Sequence, residues 1–299
     1  MTSRAAKWGR ERLRDALSMK TRRRIAWSRV AIRAYTGRYR VLPNLLVIGA
    51  QRCGTSSLYK YLGSHPEVAA SLRKETRYFT LYFDKGEEWY RAHFPLRSLA
   101  GSSARVVFEA TPDYMLDPRC AERVIRSAVR CKIVVILRDP VERAFSHYLH
   151  HRRLGQEPLS FEEALEQEES RLAPYRVVLE EDWDAPLPKE WQRYSYVTRG
   201  LYAEQLEPWY ARFGADSILV LHSEDLFRKP AEVFDGLCAF LGISPWVPTD
   251  RRNHSYIGTP GRSRSTVEMP APERAWLEKR FREPNRRLFE LLGRSYDWS

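Results

Sequence analysis

Cysteine is scarce in these 299 residues, and the four present (Cys53, Cys120, Cys131, Cys238) show neither metal-ligand spacing nor a disulfide framework. That scarcity argues against a zinc ribbon and a disulfide-stapled scaffold. Long apolar runs are missing too. No stretch approaches the roughly 20 residues needed to span a bilayer, and no apolar segment with a cleavage site follows Met1. A cytoplasmic protein with reduced thiols is the expectation. Acidic residues are rare at one end, where residues 1–40 hold thirteen Lys/Arg and two Asp/Glu. Of the formal net charge of +12, those forty residues supply +11, which leaves +1 for the other 259. The basicity belongs to an arm, so a body built to bind a specific nucleic acid is not expected.

The remaining composition, 43% hydrophobic and 29% charged, suits one large folded domain, placed at residues 41–299 behind the basic arm of residues 1–40. The arm intersperses Trp8, Leu13, Leu17, Ile25, Trp27, Val30, Ile32 and Tyr35 among its arginines. It reads as a solvated, partly helical extension or as a segment in peripheral contact with an anionic membrane. In the body, Leu45–Ile48, Val68–Ala70, Val106–Phe108, Lys132–Leu137 and Ile218–Leu221 are strand candidates. Helical patterns over Thr55–Gly63, from Val141 onward, and over Tyr202–Phe213 lie between or before them. That alternation predicts an α/β fold, a P-loop-like three-layer sandwich with a central parallel sheet. Between Glu157 and Glu190 eleven acidic residues face three basic ones, read as a solvated helix plus a loop inserted at the sheet edge. Arg274–Leu292 fits a packed terminal helix, with Pro284 as its candidate break.

Chemistry concentrates at strand exits. Residues 45–62, LLVIGAQRCGTSSLYKYL, form a strand, a polar loop and a helix. Gly49 and Gly54 have P-loop spacing, but Thr55 stands where the lysine of GK[ST] belongs, and the loop's cation is Arg52. Such a loop cradles a phosphate-like anion on backbone N–H groups at a helix N-terminus. The second segment is Arg138-Asp139-Pro140, followed by Arg143 and Ser146. Arg138 leaves the KIVVIL strand where a ligand phosphate can sit, and Ser146 lies about two helical turns later on a face able to return to it. Asp139 is placed as the N-cap ahead of Pro140. The third is Lys74-Glu75-Thr76-Arg77-Tyr78-Phe79, which sets a carboxylate among cations.

These segments resemble those of sulfotransferases that use 3′-phosphoadenosine 5′-phosphosulfate (PAPS), of the bacterial and glycan-type branch related to heparan-sulfate sulfotransferases. IGAQRCGTSSLYKYLGSHP is similar to the family's 5′-phosphosulfate loop, VVILRDPVERAFSHYLHH to its 3′-phosphate motif, and KETRYF to the segment bearing its acceptor-activating glutamate. RGLYAEQLEPWYARFG, ILVLHSEDL and NRRLFELLGRSYDW extend the likeness from about Pro43 to the C-terminus. The resemblance implies that Arg52, Cys53, Gly54, Thr55, Ser56 and Ser57 hold the phosphosulfate and that Arg138 and Ser146 hold the 3′-phosphate. It makes Glu75 the general base, a partly buried carboxylate tuned upward in pKa, with Arg52 stabilising the transferring group. Lys74 and Arg77 then face the acceptor, and His147 is the reserve base. Two departures stand out. Arg52 replaces the family's lysine, and Ala110 stands where relatives carry another. The segment Tyr256–Arg264, lacking a cysteine pair, is expected to order on cofactor binding, with Arg262 and Arg264 as its candidates. The resemblance implies that no metal is required and that the acceptor is a hydroxyl, less readily an amine, of a glycan, a glycolipid or a small molecule. A P-loop nucleotide kinase or phosphotransferase and an inactive PAPS-binding protein are the alternatives.

Overall fold

The computed structural model describes residues 19–100, 104–248 and 267–298. Its centre is a parallel sheet of five strands: β1 (Leu45–Gly49), β2 (Val68–Ala70), β3 (Val106–Ala110), β4 (Lys132–Leu137) and β5 (Ile218–His222), in the order β2-β3-β1-β4-β5. β1 is buried along its whole length, as a central strand covered on both faces must be. Its Leu45 pairs in register with Phe108 of β3 on one side and Lys132 of β4 on the other. Helices cover both faces and complete the three layers expected from the alternating pattern. Those that matter below are α1 (Met19–Ala34), α2 (Thr55–Leu62), α3 (Pro140–Arg153), α4 (Glu168–Glu181), α5 (Tyr202–Phe213) and α6 (Ala271–Leu292).

Because β1 lies between β3 and β4, the chain leaves it toward one half of the sheet and returns to the other. That switch opens a crevice at the carboxyl ends of the strands, where ligands of open α/β sheets bind. Gly49 closes β1 under Met115, and a Cβ there would lie 2.7 Å from the Met115 sulfur, so the strand can end this tightly only as glycine.

Three regions differ from the sequence reading or add to it. The acidic 157–190 stretch is less solvated than its charge suggests. Glu157 is buried and accepts both Nη groups of Arg171 and the Tyr196 hydroxyl, while Glu168 accepts the backbone N–H groups of Val197 and Thr198. Two carboxylates of this run are therefore internal fasteners. Pro284 does not break α6, which runs unbroken for 22 residues. Leu277, Phe281, Asn285 and Leu288 bury one stripe on both sides of the proline, and that packing outweighs the missing N–H bond. Finally, α1 docks on the body. Trp27 meets the rings of Tyr82 and Trp89, Val30 is fully buried, and Arg33 donates to the carbonyls of Ala92 and Phe94 at 2.6 and 2.5 Å.

Candidate active site

The loop after β1 ends in an open helix N-terminus. Gly54 is the N-cap of α2 at φ 112°, a left-handed backbone that favours glycine, and no side chain caps the first turn. The Cys53 N–H bonds Ala50 O at 3.3 Å and the Ser57 N–H bonds Gly54 O at 2.9 Å, so those two are spent inside the loop. The N–H groups of Gly54, Thr55 and Ser56 have no hydrogen-bond partner among the described residues, which leaves three donors open to an anion. This is narrower than the Cys53–Ser57 run of donors expected from sequence. Cys53 is fully buried beneath the loop, its thiol 3.8 Å from the Tyr202 hydroxyl, and burial pushes its pKa up. It is a packing residue that shapes the cradle rather than lining it.

Arg52 carries the loop's charge in a left-handed conformation, φ 72°. Its Nε donates to Ser146 Oγ at 3.1 Å, which joins the loop after β1 to the helix after β4. Burial lowers the Arg52 pKa, and Arg138, Arg153 and Arg143 lower it further. Arg52 and Arg138 thus follow the ends of the adjacent strands β1 and β4, within electrostatic reach of each other. Arg138 follows β4 directly. Its backbone carbonyl accepts from the Tyr202 hydroxyl at 2.9 Å, and its Nη2 lies 3.3 Å from Glu142. Asp139 caps α3 as expected, accepting the Val141 N–H, with Pro140 at the first helical position.

Glu75 reaches the same crevice from beyond β2. Its carboxylate is held by Lys74 Nζ at 2.7 Å and Arg77 Nη2 at 3.0 Å, and its side chain is 34% exposed. Burial pushes this carboxyl up, but the charges and hydrogen bonds of Lys74 and Arg77 outweigh it and bring the pKa to about 2. The expectation of an upward-tuned base is corrected: the unliganded site holds Glu75 firmly ionised. Arg52, Glu75 and Arg77 are the non-glycine residues with positive φ among the described residues (72°, 61° and 57°). Such conformations are sparsely populated, cost on the order of 1–3 kcal/mol each, and gather at functional sites.

A second tier holds these groups and escaped the sequence reading. Asp113, just after β3, takes Arg199 Nη2 at 2.8 Å and lies 3.7 Å from Arg77 Nε, so a buried ion pair backs the cation that clamps Glu75. Arg77 Nη1 also donates to Gln192. Below the clamp, fully buried Glu109 accepts four hydroxyls: Thr76 and Tyr90 at 2.6 Å, and Thr111 and Tyr114 at 2.7 Å. Burial raises its pKa, while these hydroxyls partly counter the shift. Two of the tier's bonds, Thr76 to Glu109 and Arg199 to Asp113, join residues 33 and 86 positions apart in sequence, a proximity that no local pattern announces.

His147 is a correction. It is fully buried and packs at 4.8 Å from the His151 ring and 5.0 Å from the Tyr196 ring, so it cannot touch an acceptor. Burial drives its pKa well below the ordinary value, with Arg143 and Arg199 adding to the effect. The inner face of α3 carries Arg143, His147 and His151, whereas Ser146 and His150 share the crevice face four residues apart. Ser146 already marked that face, so four-residue spacing pointed to His150. Burial, Arg52 and other nearby cations bring His150 down to about 4, so it is neutral at pH 7. Ala110 is fully buried in β3, and the cations near Glu75 come from Lys74 and Arg77. Arg262 and Arg264 lie outside the described residues, as does the Tyr256–Arg264 segment.

Comparison with known proteins follows this geometry. A family model described as a sulfotransferase domain matches residues 42–257. The chain is 29% identical to mouse bifunctional heparan sulfate N-deacetylase/N-sulfotransferase 4, over 85% of this chain and 30% of that protein. It is 27% identical to mouse heparan sulfate glucosamine 3-O-sulfotransferase 3B1, over 86% of this chain and 65% of that protein. The chain therefore spans only part of these relatives' length. A crystal structure of a sulfotransferase from Alicyclobacillus acidocaldarius superposes with a TM-score of 0.65 at 30% identity, covering 86% of this chain and 98% of that one. Among the described residues no helix is long and apolar enough to cross a membrane.

Proposed function

The chain belongs to the sulfotransferase domain family, and on that premise we propose that it transfers a sulfonate group from PAPS to a hydroxyl of a carbohydrate acceptor. The observation that carries the proposal is the bond from Arg52 Nε to Ser146 Oγ. Through it, an uncapped helix N-terminus and an arginine-bearing helix start, at the ends of adjacent strands, become neighbouring parts of one anion site, as a donor with phosphate groups at two positions requires. When bound, PAPS supplies the sulfonate and a phosphate leaving group.

The residues present fit that donor. The N–H groups of Gly54, Thr55 and Ser56, with the hydroxyls of Thr55, Ser56 and Ser57, hold the phosphosulfate end. Arg52 stabilises negative charge there, and as a guanidinium it acts by charge and hydrogen bonding, not by giving up a proton. Arg138 and Ser146 hold the 3′-phosphate; Ser146 accepts from Arg52 and keeps its own proton to donate. Glu75 receives the acceptor's proton. Lys74 and Arg77 orient the acceptor, and because both now sit on Glu75, an acceptor that draws either cation away raises the basicity of that carboxylate. The carbohydrate class is supported by relatives whose names specify heparan sulfate and glucosamine. A nucleotide kinase is disfavoured by Thr55, which stands where a P-loop lysine would be.

The test is calorimetric titration with adenosine 3′,5′-bisphosphate against ATP, followed by transfer of labelled sulfonate from PAPS to a panel of glycans. Tighter bisphosphate binding and labelled glycan are expected. ATP binding of equal or greater strength would overturn the assignment of the donor. Binding without transfer to any acceptor would point to an inactive binding protein.

A further inference from the structure

The start of α3 gathers more cationic charge than Arg138 alone supplies. Arg138 Nη2 lies 3.3 Å from one oxygen of Glu142, and the other oxygen is taken at 2.6 Å by Arg274 Nη2, from the first turns of α6. Two guanidiniums 136 positions apart in sequence therefore meet on the two oxygens of a single carboxylate. The three side chains are 22%, 36% and 38% exposed for Arg138, Glu142 and Arg274. Ion pairs this accessible to water contribute little to stability, and a half-exposed glutamate can swing into solvent while both arginines remain. Asp139 registers the same charges. Burial raises its pKa and Glu142 raises it further, while Arg138 and Arg274 pull it down, which sets Arg274 within electrostatic reach of the α3 N-terminus. One Asp139 oxygen accepts the Val141 N–H, and among the described residues the carboxylate that pairs with both arginines is that of Glu142.

We propose that Arg274 is a phosphate-binding residue: Glu142 holds Arg138 and Arg274 together in the free chain, and the 3′-phosphate of the nucleotide takes the place of its carboxylate between them. The inference rests on Arg138 being the 3′-phosphate residue of the proposed function. A phosphate monoester offers each guanidinium an oxygen, as the carboxylate does, but carries up to two charges and a third acceptor oxygen. It can therefore displace Glu142 without moving either arginine far. The same exchange couples α6 to occupancy of the donor site, because one of its side chains then bonds the ligand.

The test is calorimetry on the full chain with adenosine 3′,5′-bisphosphate, and with adenosine 5′-monophosphate as the probe lacking the 3′-phosphate. Arg274→Ala should weaken bisphosphate binding about tenfold or more, the usual scale for a charge-assisted hydrogen bond, and leave the monophosphate unaffected. Glu142→Gln, which removes the competing anion, should tighten bisphosphate binding several-fold. Arg274→Ala should still weaken it in the Glu142→Gln background. If the Arg274 effect vanishes in that background, Arg274 merely neutralises Glu142 and the proposal falls. Weaker binding by Glu142→Gln alone overturns it equally. Should Arg274→Ala lower the melting temperature, Arg274→Gln keeps most of the stem and is read in its place. If the unaltered chain binds the bisphosphate no tighter than the monophosphate, the fault lies in the role given to Arg138, and the proposal fails with it.

Discussion

Replacing Glu75 by glutamine removes one negative charge from between two cations and leaves the side-chain shape nearly unchanged. The fold holds the carboxyl at about 2 against an ordinary 4.5, which corresponds to about 3.4 kcal/mol at full strength. With 34% of the side chain exposed, water screens much of that, and the amide oxygen still accepts from Lys74 or Arg77. The expected loss of stability is therefore about 1–2 kcal/mol at pH 7. Because the folded pKa lies below the unfolded one, this stabilisation is complete above about pH 4.5 and is lost as pH falls toward 2. The gap between the unaltered chain and the variant, measured by urea unfolding, should accordingly narrow across that window. Turnover should fall by about 10²–10⁴, the range for removing a general base, while bisphosphate affinity stays within about threefold. Initial rates of labelled sulfonate transfer at saturating acceptor give the answer. A variant that turns over within about threefold of the unaltered chain would remove Glu75 as the base. A stability loss above about 4 kcal/mol would make its role mainly structural.

Arg138→Ala should weaken adenosine 3′,5′-bisphosphate binding by about tenfold or more, with little change in melting temperature because its ion pair with Glu142 is solvent-accessible; unchanged affinity in calorimetry contradicts its phosphate role. Glu109→Ala leaves Thr76, Tyr90, Thr111 and Tyr114 without their shared acceptor and should cost about 3–5 kcal/mol in urea unfolding. Glu109→Gln, which keeps an acceptor oxygen, should cost less, and a loss under about 1 kcal/mol for the alanine variant would show that the network matters little. His147→Phe should leave the transfer rate within about threefold, since the imidazole is buried, neutral and without hydrogen-bond partners among the described residues; a hundredfold loss with the fold intact would return His147 to the chemistry.

The strands and the two segments proposed to bind anions were readable because each is a local pattern. Continuous apolar runs at β1 and β4 announce buried parallel strands, and Gly54 before a helix or Asp139-Pro140 at a helix start carry their backbone geometry in their own covalent structure. Their boundaries moved by only a residue or two, as with β3, which extends to Ala110. His150 was also within reach of a local argument, since it shares the Ser146 face of α3, yet His147 was the residue favoured. Glu157 and Glu168 misled for the opposite reason. Charge in a sequence predicts solvent unless a partner is known, and their partners Arg171, Tyr196, Val197 and Thr198 lie 14 to 39 residues away.

From sequence alone came the α/β class, the glycine loop with its displaced cation, the arginine–serine pair of the second motif and the candidate base. Each depends on residue type and short spacing. Tertiary structure alone decided what those groups are bonded to. It tied Arg52 to Ser146, clamped Glu75 to about pKa 2 and buried His147. It also set Asp113 and Arg199 behind Arg77 and brought Arg274 to Arg138. The physical reason is that a side chain's charge state and reach depend on neighbours within a few ångströms. In a parallel sheet those neighbours come from the ends of different strands, separated in the chain by whole crossover connections.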